Sequence, residues 1–351
     1  MMRVAVITYS NAQNYGAMLQ VYALSNYLGQ FCDCSVVNYR QFDDRWFKPR
    51  KNLKDIILSV IKFTEGKIRI KRYERFREQY LNLTELCSSS EELERLNDSF
   101  DLFITGSDQV WNCNGRVNDD FFLRFVKNQK RIASYAASFG SDHIPEQVSE
   151  KVGQYIKDFD FVSIREKSGA ELVEKLTGEK TSVVVDPVFL KSTEDWKVLA
   201  VNPIIKEPYV FVYSTQKSDR LNWAVKDYSE KKHLKIVSTH AIPGVHCTVR
   251  KDMGPLEFLG YILNAEYVIS TSFHATAFSI IFEKNFCVVP HSQTGARVTD
   301  LLEDANMAEC IWQEKSYKYP QIDYRDAGVN ALQDRIDFSK QFLMDCLEDK
   351  V

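Results

Sequence analysis

Short apolar runs rich in β-branched and aromatic residues recur along the chain, and most are followed by a stretch with helical spacing. The first run, Val4–Tyr9, predicts a buried strand, and the positions after it predict a helix over Gly16–Leu28. Further strands are predicted at Cys34–Tyr39, Leu102–Thr105, Ile132–Ala136, Phe161–Ile164 and Ser182–Val185. Strands that alternate with helices predict a parallel sheet covered by helices on both faces.

A second set of strands follows the proline-containing segment Lys191–Pro208. It comprises Tyr209–Tyr213, Lys235–Ser238, Tyr267–Ser270 and Cys287–Pro290. Helices are predicted at Glu166–Leu176, Pro255–Asn264 and Thr276–Glu283. We therefore predict an α/β protein with two Rossmann-like domains, residues 1–190 and 205–330, whose parallel sheets face a cleft, and a C-terminal amphipathic helix over 331–351. Ligands of such sheets bind beyond the carboxyl ends of the strands.

One region differs from the rest in charge, and we predict it to be a basic helical insertion over about residues 48–100. Its first part, Lys48–Arg77, contains eleven Lys and Arg residues against three Asp and Glu. Its apolar positions are Ile56, Val60, Ile61, Tyr73, Phe76 and Tyr80. The helix either packs this apolar side on the domain, which is the interpretation we favour, or meets an anionic membrane or a lipid-linked sugar.

Composition narrows the class of protein. The chain has 351 residues and a net charge of −3, which does not indicate nucleic-acid binding. Its eight cysteines are scattered along the chain, so reduced thiols are expected instead of a disulfide framework, and their spacing indicates no metal site. There is no signal-peptide pattern and no apolar run of membrane-spanning length, which predicts a cytoplasmic protein.

The turn after the first predicted strand is one candidate site. Asn14 and Gly16 lie where a helix begins, and free backbone N–H groups at a helix start favour a phosphate or carboxylate. Gly16 would let a ligand approach the backbone closely. The alternative is an ordinary strand–helix turn that Asn14 caps.

Two further candidates follow strands of the first domain. Asp108, Trp111 and Asn112 could form a sugar-binding lip, since aromatic faces stack on sugars and Asp and Asn bond hydroxyls. The alternative is a polar turn with a half-buried Trp. Arg165 follows a strand and suits capture of a carboxylate or phosphate, with Asp186 orienting it or bonding a ligand hydroxyl. The alternatives are a surface ion pair and a turn.

The segment after the strand Tyr267–Ser270 holds small hydroxyl residues and a histidine. Ser270, Ser272 and His274 lie between a strand and a helix. Histidine donates or accepts a proton near neutral pH, and its position at a strand's carboxyl end favours a functional role over a structural one.

Taken together, these segments resemble the polysaccharide pyruvyl transferase family over about residues 3–302. The resembling segments are Asn14–Leu24, Gly106–Asn112, Ser134–Gly140, Arg165–Glu166, Asp186–Pro187, Ser270–Ala275 and Phe278–Phe282. The family's histidine falls on His274, and the arginine of its Arg-acidic motif falls on Arg165. Ser272 stands where family members often carry an arginine, and Arg297 is the candidate for a second cation.

The resemblance implies a glycosyltransferase-B-like fold, phosphoenolpyruvate as co-substrate without a further cofactor, and a sugar acceptor. The sequence leaves open whether that acceptor is free, nucleotide-bound or lipid-linked. It implies that His274 and Arg165 are catalytic, that Arg297, Ser270, Ser272, Asn14 and Gly16 bind the donor, and that Asp108, Trp111, Asn112 and Asp186 bind the acceptor. Two other functions remain open at this point: a glycosyltransferase that uses a nucleotide-sugar, and a non-catalytic sugar-binding relative.

Overall fold

Two parallel sheets form the framework of the protein. The computed structural model describes residues 1–40, 54–115, 117–127, 129–290, 295–313 and 317–348. The first sheet contains β1 (Arg3–Ile7), β2 (Asp33–Tyr39), β3 (Leu83–Cys87), β4 (Leu102–Thr105), β5 (Arg131–Ala137), β6 (Phe161–Ile164) and β7 (Ser182–Val183), in the order β3-β2-β1-β4-β5-β6-β7. The second contains β8 (Tyr209–Tyr213), β9 (Lys235–Ser238), β10 (Cys247–Val249), β11 (Tyr267–Ser270) and β12 (Phe286–Val288), in the order β10-β9-β8-β11-β12.

Helices form most of the crossover connections between the parallel strands. Those of the first half are α1 (Tyr15–Leu28), α2 (Lys54–Tyr80), α3 (Ser90–Glu94), α4 (Glu146–Lys157) and α5 (Lys167–Thr177). Those of the second half are α6 (Thr193–Leu199), α7 (Asp219–Lys232), α8 (Pro255–Leu263), α9 (Phe273–Ile281), α10 (Ala296–Asp304) and α11 (Val329–Leu347). The predicted fold class, two Rossmann-like units with parallel sheets, is confirmed.

Alternation along each strand supplies both faces of a sheet. In β1, Val4 and Val6 enter one core, and Ala5 and Ile7 enter a second core on the opposite face. The first of these cores continues into the second sheet, where it includes Phe211 of β8. One apolar core therefore runs between the two sheets and holds them together.

Two strands were not predicted. β3 lies at the edge of the first sheet inside the segment predicted as a helical insertion, so that prediction is wrong for Leu83–Cys87. Only Cys87 of this strand is fully buried, and the pairing of β3 with β2 shifts register. The sequence of β3 therefore has no continuous apolar run that would indicate a strand. The three residues of β10 are half-buried, and this strand has no apolar run either.

The insertion does contain a long helix, α2. Tyr73 and Phe76 are buried in the core, and Tyr22 of α1 packs edge-on against Phe76. This agrees with the interpretation in which α2 packs on the domain. Residues 48–53, together with the side chains of Ile56, Val60 and Ile61, lie outside the described residues.

The C-terminal helix packs on the first sheet. Phe342 lies against the rings of Tyr135 and Phe161, and the Ser339 hydroxyl accepts a hydrogen bond from the Val185 backbone N–H at 2.9 Å. The predicted apolar side of this helix is therefore buried against the N-terminal half, although α11 follows the second sheet in sequence. No helix in the described ranges is long and apolar enough to cross a membrane.

Replacing Ser339 should loosen this attachment. Ser339→Ala removes the acceptor of a buried N–H group, so the free energy of unfolding should fall by about 1–3 kcal/mol. Urea unfolding followed by circular dichroism measures the change. Asp334→Ala, on the exposed side of α11, is the matched control, and equal stability of the two variants would contradict the prediction.

Candidate functional site

Helix starts from both halves meet between the two sheets. α1 follows β1 and is capped by Asn14, whose side chain accepts from the Ala17 N–H, and α9 follows β11 and is capped by Ser272. α5 follows β6 and begins after Glu166. The positive ends of helix dipoles therefore gather beyond the carboxyl ends of the strands, which favours negative charge there.

Arg165, Asp186 and His274 meet at this point, although they come from three separate segments. Arg165 Nη1 donates to Asp186 Oδ2 at 2.6 Å, and the two side chains are 2% and 0% exposed. His274 Nε2 lies 3.5 Å from the same oxygen, which is longer than a well-formed hydrogen bond. One carboxylate oxygen thus faces a cation from the first half and an imidazole from the second.

The ionisation of these groups follows from their burial and their partners. Burial works to raise the pKa of Asp186, but His274 and Arg165 outweigh it and hold that pKa well below its usual value. Burial works to lower the pKa of Arg165, and Asp186, Glu166 and Asp108 together raise it. The pair is therefore a carboxylate and a guanidinium at neutral pH.

A second layer of charge surrounds the pair. Glu166 accepts from the Ser138 hydroxyl at 2.7 Å, and burial raises its pKa against the opposing effects of Arg165 and Arg297. Burial, followed by the repulsion of Arg165, lowers the pKa of Arg297. With the Gln109 amide oxygen turned towards it, Arg297 Nη2 donates to that oxygen at 2.9 Å.

Several donors of this cluster have no hydrogen-bond partner. Arg165 Nε and Nη2, Arg297 Nε and His274 Nε2 are buried and make no hydrogen bond to any described residue. Buried polar groups are normally satisfied, and each exception calls for an explanation. Arg165 Nη2 and Nε face the carboxylates of Asp108 and Glu166 at 3.9 Å, beyond hydrogen-bonding distance, and Glu166 Oε2 also lacks a hydrogen bond. The unsatisfied donors on two cations and an imidazole are groups that an anionic ligand would satisfy.

The ring of His274 packs directly on the backbone of Gly16. A Cβ atom at Gly16 would lie 2.0 Å from His274 Nδ1, far inside van der Waals contact. Gly16 therefore lies at the site. Its lack of a side chain makes room for the His274 ring, and not for a ligand as the sequence predicted.

A polar cavity of about 990 Å³ opens beside this cluster, over the first sheet. Its polar lining residues are Tyr9, Asn14, Tyr39, Ser88, Ser90, Asp108, Gln109, Asn112, Asn114, Asn118, Asp119 and Asp120. Hydroxyls, amides and carboxylates at this density suit a ligand with many hydroxyl groups, and the volume is that of a typical ligand pocket.

Most predicted residues converge on the cluster or the cavity, but the expected roles of four of them need correction. Trp111 is completely buried and stacks on Phe122 at 5.3 Å, so the prediction that it offers a face to a sugar is wrong. The Ser270 hydroxyl donates to the Tyr213 carbonyl and Ser272 caps α9, so both hydroxyls are engaged in the protein. Asp186 is fully buried and holds Arg165, so it does not reach an acceptor.

Other residues of the site were not singled out from the sequence. Gln109 and Ser107 flank the predicted Asp108, and Ser107 Oγ lies 3.3 Å from Asp186 Oδ2. Ser138 and Glu166 stand in segments that carry the family resemblance, which was the available signal. Tyr9 and Tyr39 lie at or just after the ends of strands and line the cavity. In the sequence each counts as part of an apolar run, so its hydroxyl group was not considered as a ligand contact. No group of three or more His, Cys, Asp or Glu in the described part of the chain is arranged to hold a metal ion.

The fold and the site together define the class. Two facing Rossmann-like units with the polar groups between them form a glycosyltransferase-B fold. The family model described as polysaccharide pyruvyl transferase matches residues 14–293, and the chain belongs to that family. None of the curated protein sequences matches the chain significantly.

Solved structures of similar fold include UDP-N-acetylglucosamine 2-epimerases and a protein in complex with UDP. UDP-N-acetylglucosamine 2-epimerase from Rickettsia bellii is 11% identical, with 99% of this chain and 96% of that chain covered and a TM-score of 0.53. The Methanocaldococcus jannaschii UDP-GlcNAc 2-epimerase, in complex with UDP-GlcNAc and UDP, is 12% identical, with 96% and 100% covered and a TM-score of 0.53. The S. aureus MnaA–UDP structure is 13% identical, with 97% and 90% covered and a TM-score of 0.52. At these identities the likeness shows the fold alone.

A methyl group at Gly16 tests the contact with His274. Gly16→Ala should lower the free energy of unfolding by about 1–3 kcal/mol, because the imidazole has to move or the helices have to separate. Gly66→Ala is the control, since a Cβ there meets nothing within 4 Å and should be neutral or mildly stabilising. NMR signals of the His274 imidazole should shift in the first variant alone; an unchanged spectrum would refute the contact.

Removing the carboxylate of Asp186 should be far more damaging. Asp186→Asn leaves Arg165 buried without its counter-ion, which costs about 3–5 kcal/mol. Because the pKa of Asp186 is lower in the folded state than in the unfolded state, its stabilisation is complete at neutral pH and is lost as the pH falls below about 4. The gap in unfolding free energy between the variant and the wild type should therefore narrow in acid.

The matched control for this variant is Asp101→Asn, which breaks the exposed pair with Arg3. It should cost much less than Asp186→Asn, since exposed pairs are screened by solvent. Comparable losses in the two variants, or a gap that does not depend on pH, would contradict the role given to Asp186.

Proposed function

We propose that this protein transfers the enolpyruvyl group of phosphoenolpyruvate to two hydroxyl groups of a sugar, forming a pyruvate ketal and releasing phosphate. The observation that carries the proposal is the buried group of Arg165, Arg297 and His274 with unsatisfied donors between the two sheets. Membership in the polysaccharide pyruvyl transferase family supports it.

The reaction balances without a redox partner. One sugar hydroxyl oxygen bonds to C2 of phosphoenolpyruvate while the methylene carbon gains a proton and becomes a methyl group. The second hydroxyl oxygen then bonds to C2 as the C2–O bond to phosphate breaks. The sugar loses two hydroxyl protons, which match the one gained by the methyl carbon and the one carried away by phosphate.

The side chains fit these needs. His274 is the group suited to deliver a proton to the methylene carbon, since imidazole exchanges protons near neutral pH. Arg165 and Arg297 would hold the carboxylate and the phosphate through charge-assisted hydrogen bonds. Asp186 is a positioning residue, because it holds Arg165 and His274 and is itself inaccessible. Arg297 of α10 would supply the second guanidinium that Ser272 does not.

The donor needs an opening that this conformation does not offer. The void beside Arg165, Phe273 and Arg297 has a volume of only about 20 Å³, and His274 is 8% exposed. Phosphoenolpyruvate therefore requires the domains to part at the contact of Gly16 with His274, or Gln109 to swing away from Arg297. Closure afterwards would exclude water, which would otherwise compete with the sugar hydroxyls for C2 of phosphoenolpyruvate.

The acceptor would occupy the 990 Å³ cavity. Asp108 and Asn112 line it, as expected of acceptor residues, and Gln109 connects its wall to Arg297. A hydroxyl group of a sugar bound there would lie on the side of the cavity nearest the donor cluster.

Acceptor-dependent phosphate release from phosphoenolpyruvate tests the function. A panel of galactose, mannose, glucose and N-acetylhexosamine acceptors should contain one that stimulates release. His274→Gln should then lower the rate by about 10²–10⁴-fold, because it removes the proton donor. His246→Gln, outside the cluster, is the matched control and should retain wild-type rates.

Two results would count against the proposal. Full activity of His274→Gln would remove the role of that residue. No release with any acceptor, together with tight binding of a nucleotide-sugar, would favour a glycosyltransferase, because the solved structures of similar fold include UDP complexes. Tight phosphoenolpyruvate binding without turnover would indicate a non-catalytic relative.

A further inference from the structure

A second cavity adjoins the sugar-sized one. It has a volume of about 470 Å³ and shares Tyr9, Ala12 and Tyr39 with the larger cavity. Its outer wall is formed by α2, which contributes Tyr73 and Arg77. The two cavities therefore lie side by side, and a ligand that spans both would contact these three residues.

The two cavities differ in charge. Among the described residues, the charged groups that line the larger cavity are carboxylates, those of Asp108, Asp119 and Asp120. The smaller cavity is lined by two cations, Arg40 and Arg77, and one carboxylate, Glu74. The two compartments therefore suit different parts of a ligand.

Neither arginine forms a close ion pair with a carboxylate of the described residues. Arg77 Nη2 donates to Asn38 Oδ1 at 2.7 Å, but its Nε is buried without a partner, and no carboxylate of the described chain pairs with it within 4.0 Å. The side chain of Arg40 makes no hydrogen bond or ion pair with any described residue and is exposed. Burial, followed by the repulsion of Arg40, lowers the pKa of Arg77, against the effects of Glu74 and Glu78.

The half-buried Arg77 guanidinium is repelled by Arg40 and keeps one donor unsatisfied, which is unfavourable in a partly buried position. An anion between them would remove that cost, and a phosphate matches the planar fork of a guanidinium. We propose that the cavity lined by Arg40 and Arg77 binds a phosphate or diphosphate group that the sugar acceptor carries. The assignment to an acceptor rests on the proposed function; the phosphate site itself does not.

Two kinds of acceptor carry such a group, a lipid-linked sugar and a nucleotide-sugar. Ile68 and Ile70 of α2 are 45% and 40% exposed, and Ile70 also lines the cavity. Exposed aliphatic side chains beside the phosphate site suit an isoprenoid chain better than a nucleobase.

Calorimetric titration of the full chain with inorganic diphosphate, farnesyl diphosphate and UDP tests the site directly. The double variant Arg40→Gln/Arg77→Gln should bind inorganic diphosphate at least about 10-fold more weakly than the wild type. Arg75→Gln, an exposed arginine of the same helix, is the matched control and should bind normally. Arg77→Lys should retain part of the affinity, which separates loss of charge from loss of folding.

The titration also separates this site from the donor cluster. Diphosphate bound by Arg165 and Arg297 would be lost in Arg297→Gln and retained in the double variant, which would overturn the proposal, as would no measurable binding of any of the three probes. Tighter binding of farnesyl diphosphate than of UDP would identify a lipid-linked acceptor, and the reverse a nucleotide-sugar. Because binding needs no turnover, these results stand even where phosphate release from phosphoenolpyruvate is never observed.

Discussion

The ion pair of Arg165 with Asp186 is the interaction on which the site depends. A buried guanidinium is tolerable only with a partner, and Asp186 supplies it at 2.6 Å while its other oxygen accepts from the Val188 N–H. The Arg165 guanidinium also lies over the ring of Phe273, 4.6 Å from its centroid, at the start of α9. One buried carboxylate therefore fixes the end of β6, the turn after β7 and, through His274 and Phe273, the second half.

The geometry of the site therefore depends on how the two halves are positioned relative to each other. Tyr15 at the start of α1 stacks on Phe258 of α8 at 4.6 Å. Arg72 of α2 reaches across to Asp252 and Glu257 at about 3 Å. These contacts bring His274 onto Gly16 and close the void beside the arginines. Under the proposed function, phosphoenolpyruvate could bind only after these contacts open, so donor binding and closure of the cleft would be coupled steps.

The sequence predicted what local pattern determines and missed what depends on tertiary contact. β4, β6, β8, β9 and β11 have the predicted bounds because each is a short apolar run between polar turns. The edge strands β3 and β10 lack such a run. The convergence of Arg165 and His274 on Asp186 could not be predicted without the strand order, which places β5, β6 and β7 side by side. Trp111 is an example of a wrong prediction from local pattern. It lies among polar residues in the sequence, but its side chain packs in the core and does not face the cavity.

The distribution of charge constrains how a substrate lies across the site. Carboxylates of Asp108, Asp119 and Asp120 line the larger cavity, and that of Asp119 is paired with Lys151 at 2.9 Å. Under the proposed function, the anionic parts of the substrates would lie outside this compartment. At one end Gln109 leads to Arg297 and Arg165; at the other, Tyr9 and Tyr39 lead to Arg77 and Arg40. A neutral sugar in the middle would then meet an anionic donor on one side and carry its own phosphate on the other. Separation of the two anions by a carboxylate-lined compartment would keep each from binding in the other's place.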